Sequence, residues 1–290
     1  MKNVSISRFF NYIQVLKPGA SILLTFIGMC SAVLAAGGNM FSRLLLIFLT
    51  ILIASAGANG LTNYLDRDID AKMKRTQNRV LPSRRIYPPE RVVPLTLGLV
   101  VVGLILASYL GWLCLSADLV GTVSAVVWRK RWTCVFPQGV IASCAPVLMG
   151  WFAIKPIFSW ELLSLCLLVT FWLPLHVWSV MVANREDYQA AGLTYFPASS
   201  PTRDAVRVLL IFALLLCTTS VVLYFVGHFT WIYLLIISLL DVIMVYSASR
   251  LVVSGASRDA WRLYKLSAFP YLGLVFLTIA LDTTVFTVLL

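Results

Sequence analysis

Residues 62–70 read Thr-Asn-Tyr-Leu-Asp-Arg-Asp-Ile-Asp and directly follow a long apolar run. Three of the chain's twelve acidic residues therefore fall within five positions. On a helix, Asp66 and Asp70 lie four positions apart and share a face, and Asn63 falls on the same side. Like charges so placed repel each other unless a cation lies between them, and oxygen ligands of this kind suit Mg²⁺. The segment predicts a Mg²⁺ site, with a solvated acidic helix end as the alternative.

Basic residues crowd the sequence after this acidic segment. Arginine can hold phosphate oxygens through two parallel hydrogen bonds, and lysine supplies a point charge. Arg75 and Arg79 are the strongest candidates for an anion site, because they follow the acidic residues at helical spacing. Prolines then predict a loop over residues 81–91. The alternative is that the basic residues serve membrane topology alone, since cytoplasmic loops of membrane proteins are basic.

Composition places the chain among all-α, multispanning membrane proteins. It is 60% hydrophobic and 12% charged, which is typical of helices that lie in lipid. Nine apolar segments approach the roughly 20 residues that a helix needs to cross the hydrocarbon. The predicted spans cover residues 20–36, 44–65, 92–109, 111–127, 135–154, 162–182, 206–226, 232–251 and 266–289. We expect a single membrane domain over residues 1–290.

Basic residues divide unevenly between the two sides that nine spans create. The side opposite the N-terminus carries only Arg43 and Lys155. The positive-inside rule therefore places the N-terminus and the acidic segment in the cytoplasm, with the chain integral to the plasma (inner) membrane. Residues 1–18 lack a cleavage pattern and predict a cytoplasmic amphipathic segment on the bilayer surface. This asymmetry, with attraction to anionic lipids, explains the net charge of +11 without a nucleic-acid partner.

A second polar segment, residues 184–188, ends the sixth predicted span. Asn184 and Asp187 repeat the three-residue spacing of Asn63 and Asp66, and both segments end an even-numbered span on the same side. Two carboxylate-bearing helix ends that face one cavity can hold cations around a single diphosphate. An ordinary polar helix end is the alternative reading of this segment.

Two further groups of polar residues are candidates for the same cavity. His176 lies within the sixth predicted span, where an ionisable side chain is a functional hypothesis by default. It precedes Asp187 by eleven residues, roughly 16 Å of helix, so we expect it deeper in the cavity. A neutral histidine that bonds to a neighbouring helix is the alternative. Lys130 and Arg131 end the fourth span and either complete an anion site or anchor topology.

Residues 63–82 closely resemble the first aspartate motif of the protohaem IX farnesyltransferase family, a branch of the UbiA superfamily of intramembrane prenyltransferases. A second match is carried by His176, Trp178 and residues 187–192, and weaker similarities extend the resemblance over nearly the whole chain. The resemblance implies a UbiA-type fold. It also implies that farnesyl diphosphate ionises and alkylates a vinyl group of protohaem IX, giving haem O.

The resemblance also assigns roles to individual residues. It implies Mg²⁺ as the cofactor and Asp66, Asp70 and Asp187 as the catalytic metal ligands, joined by Asn63. The residues that would bind diphosphate are Arg75, Arg79, Lys130 and Arg131. His176 and Trp178 would line the haem pocket, where His176 either ligates the iron or contacts haem without ligation.

Other functions remain open at the level of sequence. A rival within the class is a prenyltransferase that acts on a quinone or chlorophyll precursor. A rival from another class is an ion-coupled transporter, which usually places its charges near the bilayer midplane. Asp241, within the eighth predicted span, favours that rival, whereas the other acidic residues lie at helix ends. A homo-oligomer or a haem-handling partner protein also remains open.

Overall fold

The computed structural model describes residues 2–37, 42–127, 129–130 and 132–286 of the chain, and within these ranges the fold is a bundle of α-helices. The helices are α1 (Lys2–Val15), α2 (Pro18–Ala35), α3 (Leu44–Asp70), α4 (Val93–Leu110), α5 (Trp112–Val127), α6 (Gln138–Phe152), α7 (Trp160–Ala183), α8 (Arg185–Ala190), α9 (Thr202–Val226), α10 (Trp231–Ser254), α11 (Ser257–Leu266) and α12 (Leu274–Leu281).

Within the described residues, each of the nine predicted spans overlaps a helical segment, and residues 287–289 of the last one lie outside them. Within the described ranges, seven segments are long and apolar enough to cross a membrane: α2, α3, α4 with its preceding turn, α7, α9, α10 and the continuous stretch Ser257–Val285. The helices α5 and α6 are apolar but have only 16 and 15 residues, below the usual length of a span. The chain is thus an integral membrane protein, and the count of nine crossings stays a prediction.

Small residues bring neighbouring helices into close contact. A Cβ atom added to Gly150 of α6 would overlap the carbonyl oxygen of Gly28 on α2. One added to Gly103 of α4 would lie 3.0 Å from the Cα atom of Ala54 on α3. Small residues permit such backbone contact in membranes, where packing rather than water expulsion drives helix association. These contacts pack the helices around a central cavity.

The last predicted span is not one straight helix. Helix α11 runs into a π-helical turn, Ser267–Gly273, before α12 begins. Within that turn Ala268 leaves helical geometry, with ψ at −137°, and Pro270 follows two residues later. Proline lacks a backbone N–H and displaces the preceding turn, which accounts for the kink. Tyr264, which precedes the kink, and Ala268 and Phe269, which lie within it, all line the central cavity.

Asp241 is engaged in a polar network away from the cavity. Its two carboxylate oxygens accept hydrogen bonds from the Tyr271 hydroxyl at 2.6 Å and the Ser220 hydroxyl at 2.7 Å. The Ser220 carbonyl in turn accepts from the Tyr233 hydroxyl at 3.0 Å. This carboxylate, with both oxygens hydrogen-bonded to protein, links α9, α10 and the kinked turn and does not line the cavity.

The loop after α3 begins earlier than the sequence predicts. Helix α3 ends at Asp70, and residues 71–88 form successive turns. The hydroxyl of Thr76 donates to the Asp70 carbonyl at 2.9 Å, which turns the chain away from the helix axis. The expectation that Arg75 and Arg79 continue the helix is therefore wrong. Both arginines instead lie in a loop that is fixed by buried apolar side chains, including Met73 and Val80.

Candidate active site

A cavity of about 830 Å³ opens among α2, α3, α5, α6, α7 and α11. Charged and amide side chains surround its mouth, where α3 ends. They are Lys17, Asn63, Asp66, Asp70, Arg75, Arg79, Arg129 and Lys130. Farther in, the wall is mostly apolar, with Leu23, Phe26 and Met149 among its residues. A cavity of this size that has polar groups at one end suits an amphipathic ligand with an anionic head.

Unsatisfied polar atoms concentrate in this cavity. Among the described residues, four buried side-chain atoms have no hydrogen-bond partner: Asp66 Oδ1, Arg75 Nε, Asp118 Oδ2 and Gln138 Oε1. All four residues line the same cavity. A buried polar atom without a partner costs free energy, so such atoms in a native protein call for a bound ligand, ion or water. The cavity is therefore the candidate binding site.

The two carboxylates that share a face of α3 have different surroundings. Asp70 is only 1% exposed, and its two oxygens pair with Arg79 Nη1 and Lys130 Nζ, each at 2.7 Å. Asp66, one turn earlier, keeps an oxygen without a partner. Spacing alone predicts the shared face. It does not predict that Arg79 and Lys130, from other segments, form ion pairs with Asp70. Asp66 is thus the carboxylate that has a free oxygen for a ligand.

Asn63 of α3 and Lys17, the residue before α2, complete the mouth of the cavity. Asn63 donates through Nδ2 to the Val15 carbonyl at 2.6 Å, which joins α3 to the end of α1. Lys17 precedes α2 in a left-handed conformation with φ at 49°. Burial, and next the nearby Arg79 guanidinium, lower the pKa of Lys17 to about 8. Nothing in the sequence distinguishes Lys17 from the other basic residues, so no pattern predicts its place in the site.

Asp187 holds the loop after α3. Its carboxylate accepts hydrogen bonds from the backbone N–H of Lys74 at 2.7 Å and of Arg75 at 3.2 Å. Asp187 does not line the cavity, whereas Arg75 does. Helix α7 ends before Asn184, whose φ and ψ are −125° and 34°, so Asp187 lies on the separate helix α8. The straight-helix relation between His176 and Asp187 is therefore wrong, and metal ligation by Asp187 stays a prediction.

Aromatic hydroxyl groups surround the basic side of the mouth. Lys130 Nζ lies 5.6 Å from the ring centre of Tyr188, and its carbonyl accepts from the Tyr195 hydroxyl at 2.7 Å. The Tyr188 hydroxyl lies 3.4 Å from Arg75 Nη2. Burial raises the pKa of Tyr188 to about 12, so this phenol stays a neutral hydrogen-bonding group. Arg131, the remaining predicted diphosphate contact, lies outside the described residues.

His176 and Trp178 point to different places. The His176 ring lies between the rings of Trp172 and Tyr264, with centroids 4.9 Å and 4.5 Å away, and its Nδ1 is 3.0 Å from the Ser267 hydroxyl. His176 lines the cavity, as do both stacking partners. Residues two apart on a helix face nearly opposite directions, so Trp178 turns away from it.

The side chain of Trp178 lies in an aromatic cluster outside the cavity. Its ring centroid is 4.6 Å from that of Phe196, 5.4 Å from that of Phe212 and 6.0 Å from that of Phe136. The structure therefore does not place Trp178 in an acceptor pocket. The aromatic residues beside His176 are Trp172 and Tyr264, and neither belongs to the motif that predicts Trp178 in the pocket.

The fit to Mg²⁺ depends on substrate oxygens. No group of three or more His, Cys, Asp or Glu side chains within the described part of the chain could hold a metal ion unaided. Mg²⁺, however, typically binds one or two carboxylates together with waters and substrate phosphates. The unpartnered oxygen of Asp66, at a mouth rich in arginine and lysine, matches that donor set. The residues present therefore fit Mg²⁺ when a diphosphate supplies the other ligands.

Comparisons with known proteins show which family this sequence resembles. A model of the UbiA prenyltransferase family matches residues 21–276. A protoheme IX farnesyltransferase from Desulforudis audaxviator is 33% identical over 280 residues, covering 93% of this chain and 87% of the relative. Another, protoheme IX farnesyltransferase 1 of Picrophilus torridus, is 35% identical over 268 residues, covering 90% of both chains.

Solved structures share the fold at lower sequence identity. A structure of digeranylgeranylglyceryl phosphate synthase superposes with a TM-score of 0.77 at 17% identity, covering 95% of this chain and 98% of that one. A UbiA homologue from Archaeoglobus fulgidus bound to GPP and Mg²⁺ superposes with a TM-score of 0.62 at 14% identity, covering 93% and 99%. These similarities show a common helical fold over nearly the whole chain.

Proposed function

Because this chain belongs to the UbiA prenyltransferase family, we propose that it transfers the farnesyl group of farnesyl diphosphate to a vinyl group of protohaem IX. The relatives named for that reaction align with nearly its full length. The observation that carries the proposal is the pair of unpartnered groups at the cavity mouth, Asp66 Oδ1 and Arg75 Nε. They supply a free oxygen for a cation and a free hydrogen-bond donor for an anion, next to the apolar inner part of the cavity.

The basic side chains at the mouth bind the diphosphate. Arg75 keeps a free N–H donor, while Arg79 and Lys130 now pair with Asp70. Phosphate oxygens would compete with the Asp70 carboxylate for these two cations, since guanidinium and ammonium groups donate strong hydrogen bonds to phosphate and carboxylate alike. Asp66 and Asn63 would hold Mg²⁺, which when bound acts as a Lewis acid on the leaving diphosphate. Asp70 and Asp187 each already accept two hydrogen bonds, so either would ligate the metal through the lone pairs that those bonds leave free.

The apolar inner part of the cavity shields the reacting carbon from bulk water. As the bond between C1 of the farnesyl group and the diphosphate oxygen breaks, an allylic cation forms, which bulk water would quench. The stacked rings of Trp172, His176 and Tyr264 line this part of the cavity and would border such a cation. The vinyl group attacks C1, one water adds to the remaining vinyl carbon and loses a proton, and the diphosphate departs. The product carries a hydroxyethylfarnesyl substituent.

The membrane placement follows from charge. The cavity mouth and the basic loop 71–88 lie on one side of the bundle, and positive-inside asymmetry assigns that side to the cytoplasm. Both substrates are amphipathic, so each can keep its charged end at this mouth while its apolar part lies within the bilayer. We propose that the protein acts in the plasma (inner) membrane, with its active site at the cytoplasmic surface.

The test compares two neighbouring carboxylates. Asp66→Asn should lower farnesyl transfer to haem by about a hundredfold or more, since it removes charge stabilisation of the leaving group. Asp68→Asn is the matched control, because the Asp68 side chain is 81% exposed and its ion pair is with the neighbouring Arg67, at 3.8 Å. Haem products made by purified protein with Mg²⁺ would be identified by mass spectrometry. Transfer that survives Asp66→Asn would refute the proposal, and transfer to a phenolic acceptor alone would replace haem as the substrate.

A further inference from the structure

Ser267 connects three residues of the cavity wall. It begins the π-helical turn after α11 and is fully buried. Its carbonyl accepts a hydrogen bond from the Trp172 indole N–H. Its hydroxyl oxygen lies 3.0 Å from the Tyr264 carbonyl and 3.0 Å from His176 Nδ1. Trp172, His176 and Tyr264 all line the cavity, so the Ser267 hydroxyl is placed to determine how His176 forms hydrogen bonds.

The two contacts of this hydroxyl determine which ring nitrogen of His176 carries the proton. A serine hydroxyl has one hydrogen to donate and two lone pairs that accept. A carbonyl oxygen can only accept, so Ser267 donates its hydrogen to Tyr264 and its oxygen accepts from His176 Nδ1–H. The other tautomer, protonated at Nε2, would leave one of the two contacts without a hydrogen. The loss of one buried hydrogen bond shifts the tautomer ratio by at least about fivefold.

This tautomer leaves a lone pair on the edge of the ring that faces the cavity. The rings of Trp172 and Tyr264 stack on the imidazole at interplanar angles of 15° and 26°, and Ser267 covers its Nδ1 edge. His176 is nevertheless only half-buried and lines the cavity. The edge that carries Nε2 is therefore the part of the ring that faces the cavity. In this state the neutral imidazole offers an electron pair and no N–H donor there.

We propose that Ser267 is a positioning residue that holds His176 with Nε2 free to bind the iron of the haem substrate. The inference rests on the proposed function, because it concerns the acceptor of that reaction. A metal-binding histidine almost always donates its other ring N–H to an acceptor, which fixes the tautomer and the ring orientation. The Ser267 hydroxyl, fixed in turn by the Tyr264 carbonyl, is such an acceptor. A haem propionate would instead need a donor, which this tautomer does not present.

The stacked rings also suit a flat ligand. An axial iron–nitrogen bond lies in the plane of the imidazole and perpendicular to the porphyrin, so haem bound at Nε2 would meet the His176 ring edge-on. Trp172 and Tyr264 are nearly parallel to that ring and would present their edges to the same porphyrin face. Edge-to-face contact is a preferred arrangement of aromatic systems, because positive edges meet a negative face. The three rings together would therefore support the porphyrin around its iron.

Nuclear magnetic resonance tests the tautomer directly, because the chain contains only two histidines. Protein labelled with isotope-enriched histidine would be measured at about pH 8.5, where an ordinary imidazole is neutral. His228→Gln, a change at an exposed position, would assign the signals. His176 should show a protonated Nδ1 and an unprotonated Nε2. A proton on Nε2, or an equal mixture of tautomers, would overturn the proposal. This measurement leaves Ser267 intact and so does not depend on whether a Ser267 variant folds.

Haem titration followed by Soret absorbance tests the consequence. Ser267→Ala should weaken haem binding by about tenfold, the scale for losing the partner of a metal-binding histidine, and should reduce the spectral signature of iron–imidazole ligation. Ser179→Ala is the matched control, because it removes another buried hydroxyl, one that donates to the Leu175 carbonyl within α7. Equal haem affinities of the two variants would refute the role of Ser267. Failure of the proposed function would differ: haem would bind through His176, yet no farnesyl group would be transferred to it.

Discussion

The two cations bound to Asp70 should contribute unequally to stability. Lys130→Met removes an ammonium that is 12% exposed, and Arg79→Met removes a guanidinium that is 40% exposed, although both lie 2.7 Å from the same carboxylate. Breaking a buried pair typically costs 3–5 kcal/mol, while an exposed pair contributes about 0–1 kcal/mol because solvent screens it. Since one cation remains in each variant, we expect losses of about 3 kcal/mol for Lys130→Met and about 1 kcal/mol for Arg79→Met.

A double-mutant cycle measures this difference. Unfolding free energies of the purified protein in mixed micelles would be compared for Lys130→Met, Arg79→Met, Asp70→Asn and the two combinations. Without the carboxylate, removing Lys130 should cost little or even stabilise, because no buried negative charge is left unpaired. Equal losses for the two cations, or a Lys130→Met loss that persists in the Asp70→Asn background, would refute the assignment of Asp70 as a buried, doubly paired carboxylate.

Three further outcomes test the site. His176→Ala should weaken haem binding in a Soret titration while leaving farnesyl diphosphate binding nearly intact, and Trp178→Phe should change neither, because only His176 lines the cavity; equal effects of the two changes would contradict the geometry. EDTA should stop turnover and added Mg²⁺ should restore it, so activity that persists in EDTA would exclude the proposed metal. Burial raises the pKa of the Cys134 thiol to about 11, so this thiol stays protonated, and iodoacetamide labelling at pH 8 should be slow until the protein is denatured or the pH approaches 11; rapid labelling of the native protein at pH 8 would show that Cys134 is exposed.

The sequence was informative where one helix determines the geometry. The common face of Asp66 and Asp70 follows from a four-residue spacing, and helix α3 indeed extends through both residues. The apolar segments likewise located the helices because backbone groups in lipid must be satisfied internally. Neither pattern contains information about which distant side chain approaches a given helix.

What the sequence could not supply depends on tertiary contacts. Lys130 reaches Asp70 across sixty positions, and the break at Asn184 follows from backbone geometry that no spacing pattern shows. Asp118 was overlooked because a single acidic residue in an apolar segment has no motif around it. Its place in the lining of the cavity depends on how α3, α5 and α6 pack together. Functional sites formed between helices are therefore harder to predict from sequence than sites formed along a single helix.

The hydrogen bonds from the loop to Asp187 involve backbone atoms, and this determines which substitutions the loop tolerates. Lys74 and Arg75 donate through their main-chain N–H groups, so most side chains at position 74 leave the connection to α8 intact. Proline is the exception, because it has no N–H to donate. Lys74→Pro should therefore remove the shorter of the two hydrogen bonds to Asp187 and leave only the longer one from Arg75, although the carboxylate itself is unchanged, whereas Lys74→Ala should keep both.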